Sequence, residues 1–157
     1  MSEVVYMTFD RVKELEEEIR DLKIHGRKEI ALKIAEARSH GDLSENAEYD
    51  AAKHEQELLE IKINNLERTL GRVQVIKPED LPSDKVYILT KVKLKNLKNK
   101  MELEYTLVSP EEADFEKKKL SVTSPIGKAL MGKSIGDVVE IQAPAGKSQF
   151  EILDISK

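Results

Sequence analysis

The segment Gly41-Asp42-Leu43-Ser44-Glu45-Asn46-Ala47-Glu48-Tyr49-Asp50 carries acids at positions 42, 45, 48 and 50. Two chemistries compete for Asp42 and Glu45. Their spacing is that of a capping box, in which the Asp accepts from the backbone of a helix's first turn and the Glu reaches back. Acids in a first turn also suit the positive end of a helix dipole. The same two carboxylates on a turn are hard oxygen ligands for Mg²⁺. Two such groups do not complete an octahedron, so a metal role needs further ligands from a partner or a substrate.

Cations flank this segment. Arg38 precedes it and Lys53 follows it; each is placed to pair with a neighbouring acid or to contact a phosphate. Lys91, Lys93 and Lys95 alternate along a strand pattern and, with Lys98 and Lys100, form a basic edge, a common protection of edge strands against aggregation. Lys117, Lys118 and Lys119 read as a solvated turn. Of the three histidines, His40 reads as a helix-end residue, and His25 and His54 have no partner at metal-ligand spacing.

Composition removes other chemistries. The chain has no Cys, which excludes disulfides, thiolate metal sites and Cys nucleophiles. GxGxxG is absent, and the letters of GxxxxGK[ST] and GxSxG occur at 127–134 and 132–136 within GKALMGKSIG. They fall between a short helix pattern and a strand pattern rather than on the strand-to-helix turn that a phosphate cradle or nucleophile elbow requires, so neither is expected. Aromatic residues are 4% with no Trp, too few for a stacking platform. The 157 residues are 36% charged with net charge −4, and all six Arg lie in the first half; a globally basic nucleic-acid binder is not supported. No apolar run approaches the length of a spanning helix, and the N-terminus lacks signal-peptide features. A soluble, cytoplasmic protein with no membrane association is expected.

The elements that must position these residues differ between the halves. Residues 10–39 contain no Pro and only Gly26, with apolar residues at Val12, Leu15, Ile19 and Leu22. That is an a/d seam; its phase shifts near Gly26 and resumes at Ile30, Ile34 and Ala37. A second seam runs Tyr49, Ala52, Gln56, Leu59, Ile63, Leu66, Leu70, Val73. The short gap between the patterns predicts an antiparallel coiled-coil hairpin over 1–77 with an acidic tip at 40–45. The hairpin satisfies its own seam, so a monomer is expected.

Pro78 and Pro82 mark a linker over 78–84. Beyond it the period becomes 2, predicting a β-hairpin of strands 86–95 and 101–107. A short strand follows at 120–123. Ser124 then caps a short helix that begins at Pro125, and two strands follow at 138–143 and 149–155. The fold class is α+β, with a small α+β domain over 85–157.

Two stretches resemble a known family. GDLSENAEYDAAK at 41–53 is similar to the tip signature of the bacterial Gre transcript-cleavage factors, and SVTSPIGKALMGKSIGDVVEI at 121–141 is similar to their second signature. The resemblance spans essentially the whole chain, and the near-neutral overall charge looks more like the GreA branch than the GreB branch. It implies a C-terminal domain similar in fold to FKBP prolyl isomerases, docked on the rim of the secondary channel of backtracked RNA polymerase. It also implies a coiled coil that carries its tip to the polymerase active site. There Asp42 and Glu45 correspond to the acids that help hold an Mg²⁺ and activate water, so that the polymerase cuts the 3′ end of its own nascent RNA. Arg38 and Lys53 correspond to the RNA-contacting positions, Lys53 standing where many members have Arg. Ser124, Pro125 and Ile126 correspond to the docking segment. On this reading the chain is an accessory factor with no cofactor of its own beyond the Mg²⁺ of the polymerase active site. The rivals are a channel-occupying inhibitor of the same shape, a prolyl isomerase with a helical appendage, and a coiled-coil chaperone or adaptor.

Overall fold

The computed structural model describes residues 4–42, 46–144 and 146–157. The chain forms two compact units, one of Asp10–Arg72 and one of Met1–Phe9 with Val73–Lys157.

The first unit is the helical hairpin. Helix α1 spans Phe9–Asp21 with Asp10 in its first turn, and α2 spans Arg27–Arg38. Between them Leu22–Gly26 forms a π-helical turn whose flanking residues Asp21 and Arg27 keep right-handed helical dihedrals. A π-turn inserts one residue into a helix. From Leu22 to Ala37 the seam spans one residue more than two heptads, so the inserted residue accounts for the phase shift read in the sequence. Gly26 joins the seam: a Cβ there would lie 3.3 Å from Leu59 Cδ1 on the opposite helix.

Helix α3 spans Ala47–Leu70 and returns antiparallel. Its partners descend as those of the first arm ascend: Lys23 with Glu67, Arg27 with Glu60, Lys33 with Glu55. Leu15, Ile19, Ile34, Ala37, Ala52 and Ile63 are buried along the seam, and the remaining helical seam positions are half-buried. Arg27 donates to both carboxylate oxygens of Glu60. That hydrogen bond, the largest cause, raises the guanidinium pKa above its ordinary value; desolvation lowers it by less, and the charges of Glu60 and then Glu67 raise it further.

The second unit begins with a strand that periodicity did not reveal. β1, Val5–Met7, pairs in parallel with β2, Val73–Val75. Tyr6 N donates to Ser109 Oγ at 3.0 Å. Val73, the last residue of the expected second seam, is therefore a strand residue. The compact units accordingly differ in their bounds from the expected 1–77 and 85–157, because the N-terminal strand packs with the C-terminal half.

The main sheet has the order β5-β4-β3-β7-β6. Its strands are β3 Lys91–Asn96, β4 Glu102–Val108, β5 Lys119–Ser121, β6 Val138–Ala143 and β7 Gly146–Ser156. β4 and β5 run parallel and the other neighbours antiparallel. Helix α4, Pro125–Leu130, sets Leu130 into a core with Val92, Leu94, Tyr105, Leu107, Val139, Ile141, Ile152 and Ile155. Ile152 and Ile155 are three apart and would face opposite sides of a regular strand. A register shift opposite Lys93 and Leu94 lets both enter the core.

Two sequence expectations fail here. Residues 86–90 alternate in burial, with Val86, Ile88 and Thr90 buried between more exposed Tyr87 and Leu89, but the ladder starts only at Lys91. Thr90 closes a turn instead: its Oγ1 accepts from Tyr87 N at 3.0 Å and donates to Tyr87 O, and Leu89 takes a positive φ of 71°. Nor is β3 an edge. It lies between β4 and β7, and its lysines face acids: Lys91 lies 3.8 Å from Glu104 and Lys93 3.8 Å from Glu102. Asp154 pairs across from Lys93 and Glu151 from Lys95 in the register with β7. The row of lysines is thus the middle of a charge ladder and not a basic edge.

Candidate functional site

The end of the hairpin is built from the last turn of α2 and the first turn of α3. The α2 ladder tightens as it ends: Ser39 N donates to Glu36 O at 3.0 Å, His40 N to Ala37 O at 3.2 Å and Gly41 N to Arg38 O at 3.4 Å. Gly41 then turns the chain away with φ +114°, a conformation that L side chains rarely adopt.

The cap of α3 is Asn46. Its backbone is extended, and its Oδ1 accepts from Glu48 N at 3.0 Å and Tyr49 N at 3.1 Å. The capping-box expectation for Asp42 and Glu45 is therefore corrected: Asp42 lies four residues before the cap, outside the helix. Glu45, with Leu43 and Ser44, lies outside the described residues. The sequence did hold the right signal. Asn is among the best caps, and Glu48 and Asp50 supply the acidic first turn that follows it.

Three side-chain contacts join the two helix ends. Asn46 Nδ2 donates to Ala37 O at 2.6 Å. The Arg38 guanidinium stands 5.9 Å from the centroid of the Tyr49 ring, and His40 Nε2 lies 3.5 Å from Glu48 Oε2. The sequence reading places Tyr49 only in the seam and does not single out Asn46. Lys53, on the next turn of α3, donates to Gln56 Oε1 at 2.7 Å. Among the described residues these two candidate phosphate contacts are thus held by a ring and an amide rather than by a carboxylate. His25 and His54 each lie beside an acid of their own helix, Asp21 and Glu57. Among the described residues no three His, Asp or Glu side chains group as a metal site.

The segment Ser124, Pro125 and Ile126 is positioned by a second cap. Ser124 Oγ accepts from Gly127 N at 3.0 Å and donates to Ser121 O at 2.6 Å. Pro125 opens α4 and is exposed, while Ile126 is half-buried against the sheet core. Gly127 allows the close approach: a Cβ there would meet Ser121 O at 2.1 Å.

The second unit offers few aromatic side chains to a pocket. Phe115 is 74% exposed and Tyr87 47% exposed, and the ring contact among the described residues is Tyr105 with Phe115 at 6.5 Å. That spread does not favour the prolyl isomerase rival. Among the described residues no helix is long and apolar enough to cross a membrane.

A hairpin with an acidic tip ahead of a small β-sheet domain is the architecture on which comparison with known proteins bears. The family described as "Transcription elongation factor, N-terminal" matches residues 5–75, and "Transcription elongation factor, GreA/GreB, C-term" matches residues 81–157. The transcription elongation factor GreA of Chlorobaculum parvum is 55% identical over 99% of this chain and 98% of its own. That of Flavobacterium johnsoniae is 50% identical over 100% and 99%. A solved structure, the GreA factor homolog 1 (Gfh1) protein of Thermus thermophilus, is 26% identical over 99% of this chain and 100% of that one, with a TM-score of 0.46. The chain belongs to the GreA/GreB family of transcription elongation factors.

Proposed function

We propose that the protein is an accessory factor of backtracked bacterial RNA polymerase. It docks through its C-terminal domain at Ser124–Ile126, passes the hairpin down the secondary channel and stimulates the polymerase's own cleavage of the nascent RNA 3′ end. The observation that carries this reading is the cap of α3. Asn46 accepts from the Glu48 and Tyr49 N–H groups of the first turn, so the capping role that spacing suggested for Asp42 is filled by another residue.

On this reading the carboxylates of Asp42 and Glu45 would hold an Mg²⁺ together with further ligands from the polymerase and the RNA. Bound Mg²⁺ would supply an activated water and charge stabilisation of the leaving oxygen. The chain's own part is to add hard oxygen donors at the tip and to leave the remaining ligand positions to the partner. Arg38, its guanidinium held near Tyr49, offers a phosphate contact with fork geometry; Lys53 offers a point charge. Helix α3 alone, with 24 residues, measures about 36 Å, and a two-helix rod suits a narrow tunnel. The factor acts in the bacterial cytoplasm as a monomer.

The test adds the full chain to a stalled, backtracked bacterial polymerase complex and follows shortening of the RNA. Wild type should accelerate cleavage. The Asp42→Asn, Glu45→Gln double variant should bind as well and stimulate at least a hundredfold less, with partial recovery at raised Mg²⁺ because a weakened site refills by mass action. Near-normal cleavage by the double variant would sink the metal-ligand role. Binding by wild type with no stimulated cleavage would establish the channel-occupying inhibitor instead.

A further inference from the structure

We infer that Asn46 is a positioning residue of the tip, tying together the two helix ends that flank the acidic segment; this rests on the function proposed above. Two observations converge on it. Asn46 caps α3 through Oδ1, which accepts from Glu48 N and Tyr49 N. The same side chain donates through Nδ2 to Ala37 O of the opposite arm at 2.6 Å. That carbonyl belongs to the C-terminal turn of α2, where carbonyls lack their usual helical partners. It also accepts from His40 N at 3.2 Å, so both of its lone pairs are used. Ala37 is buried, which places one end of the tie on the hairpin seam.

The chemistry explains why Asn stands here. As caps, Asn, Asp and Ser are about equal. Among them only Asn combines the capping acceptor with an amide donor that reaches across. An Asp in its place would still cap α3 but would set a carboxylate oxygen against the Ala37 carbonyl. A Ser would cap without the reach. Asp42 lies four residues before Asn46 in the chain, and Glu45 is bonded directly to it. The flanking contacts Arg38 with Tyr49 and His40 with Glu48 bridge the same two helix ends, so the tie also bears on the phosphate-contacting cation. A misplacement of about 1 Å is enough to cost a reaction on the order of a hundredfold when geometry is the contribution.

The test uses the full chain and the variants Asn46→Asp and Asn46→Ser. Both should keep the far-UV circular dichroism of the hairpin and a half-saturating concentration for polymerase within about threefold of wild type. Both should lower the maximal cleavage rate at saturating factor by at least tenfold. Free wild-type protein should show one Asn46 Nδ2 proton shifted downfield of a free amide by NMR. A maximal rate near wild type for Asn46→Ser would overturn the inference, as would a loss confined to Asn46→Asp, which would mark the added charge as the cause. If wild type itself fails to stimulate cleavage, the proposed function falls, and the tie is then judged on the amide signal alone: an unshifted Asn46 amide overturns it.

Discussion

Replacing Gly127 by Ala tests how the segment Ser124–Ile126, the proposed docking segment, is held. A Cβ at position 127 would lie 2.1 Å from Ser121 O and 3.0 Å from Ser124 Oγ. The first contact is backbone, so no side chain can swing away, and α4 and β5 must separate by about 1 Å to restore van der Waals contact. The atoms to be parted are those of the cap: Ser124 Oγ donates to Ser121 O at 2.6 Å and accepts from Gly127 N at 3.0 Å. Losing a Ser cap costs about 1 kcal/mol, and forcing a methyl into a packed contact costs about 1–3 kcal/mol. The expected loss is about 2–4 kcal/mol, a large fraction of the ~5–15 kcal/mol typical of a domain. The two compact units need not unfold together, so the assay should follow each one: urea titration read from the methyl NMR signals of Leu130 and Ile152 for the sheet unit, and of Ile34 and Ile63 for the hairpin. The sheet midpoint should fall and the hairpin midpoint should stay. A loss below about 0.5 kcal/mol, within the range of a neutral surface change, would refute the close-approach argument.

Two further outcomes follow from the same packing. Ile63 is 1% exposed in the hairpin seam, so Ile63→Ala should destabilise the hairpin by about 2–5 kcal/mol, seen as an early loss of helical circular dichroism with the Leu130 and Ile152 signals unmoved. Thr90→Val keeps the volume but strands Tyr87 N, whose acceptor is Thr90 Oγ1; a cost of about 1–3 kcal/mol should appear in the sheet unit, and an unchanged urea midpoint would show that the turn does not depend on that side chain.

The residue order by itself determined the elements whose signals are local. The heptad seams, the one-residue phase shift that became the π-turn, the bounds of β6 and the start of α4 at Ser124-Pro125 all depend on neighbours within a turn or two. The tertiary structure decided what depends on distant partners. β1 is three residues long and exists because Val73–Val75 lies beside it, a pairing that no local period announces. Residues 86–90 carry their every-second burial at Val86, Ile88 and Thr90, yet a period of two reports burial and not a hydrogen-bonded ladder, and Thr90 turns the chain. The lysines of β3 looked like an edge until the return of β7 placed that strand in the middle of the sheet. At the tip, two capping signals stood four residues apart, at Asp42 and Asn46. The choice fell to Asn46 because only the reversal of the chain brings its amide within 2.6 Å of Ala37 O, and a contact between two helices is invisible to a rule read along one of them.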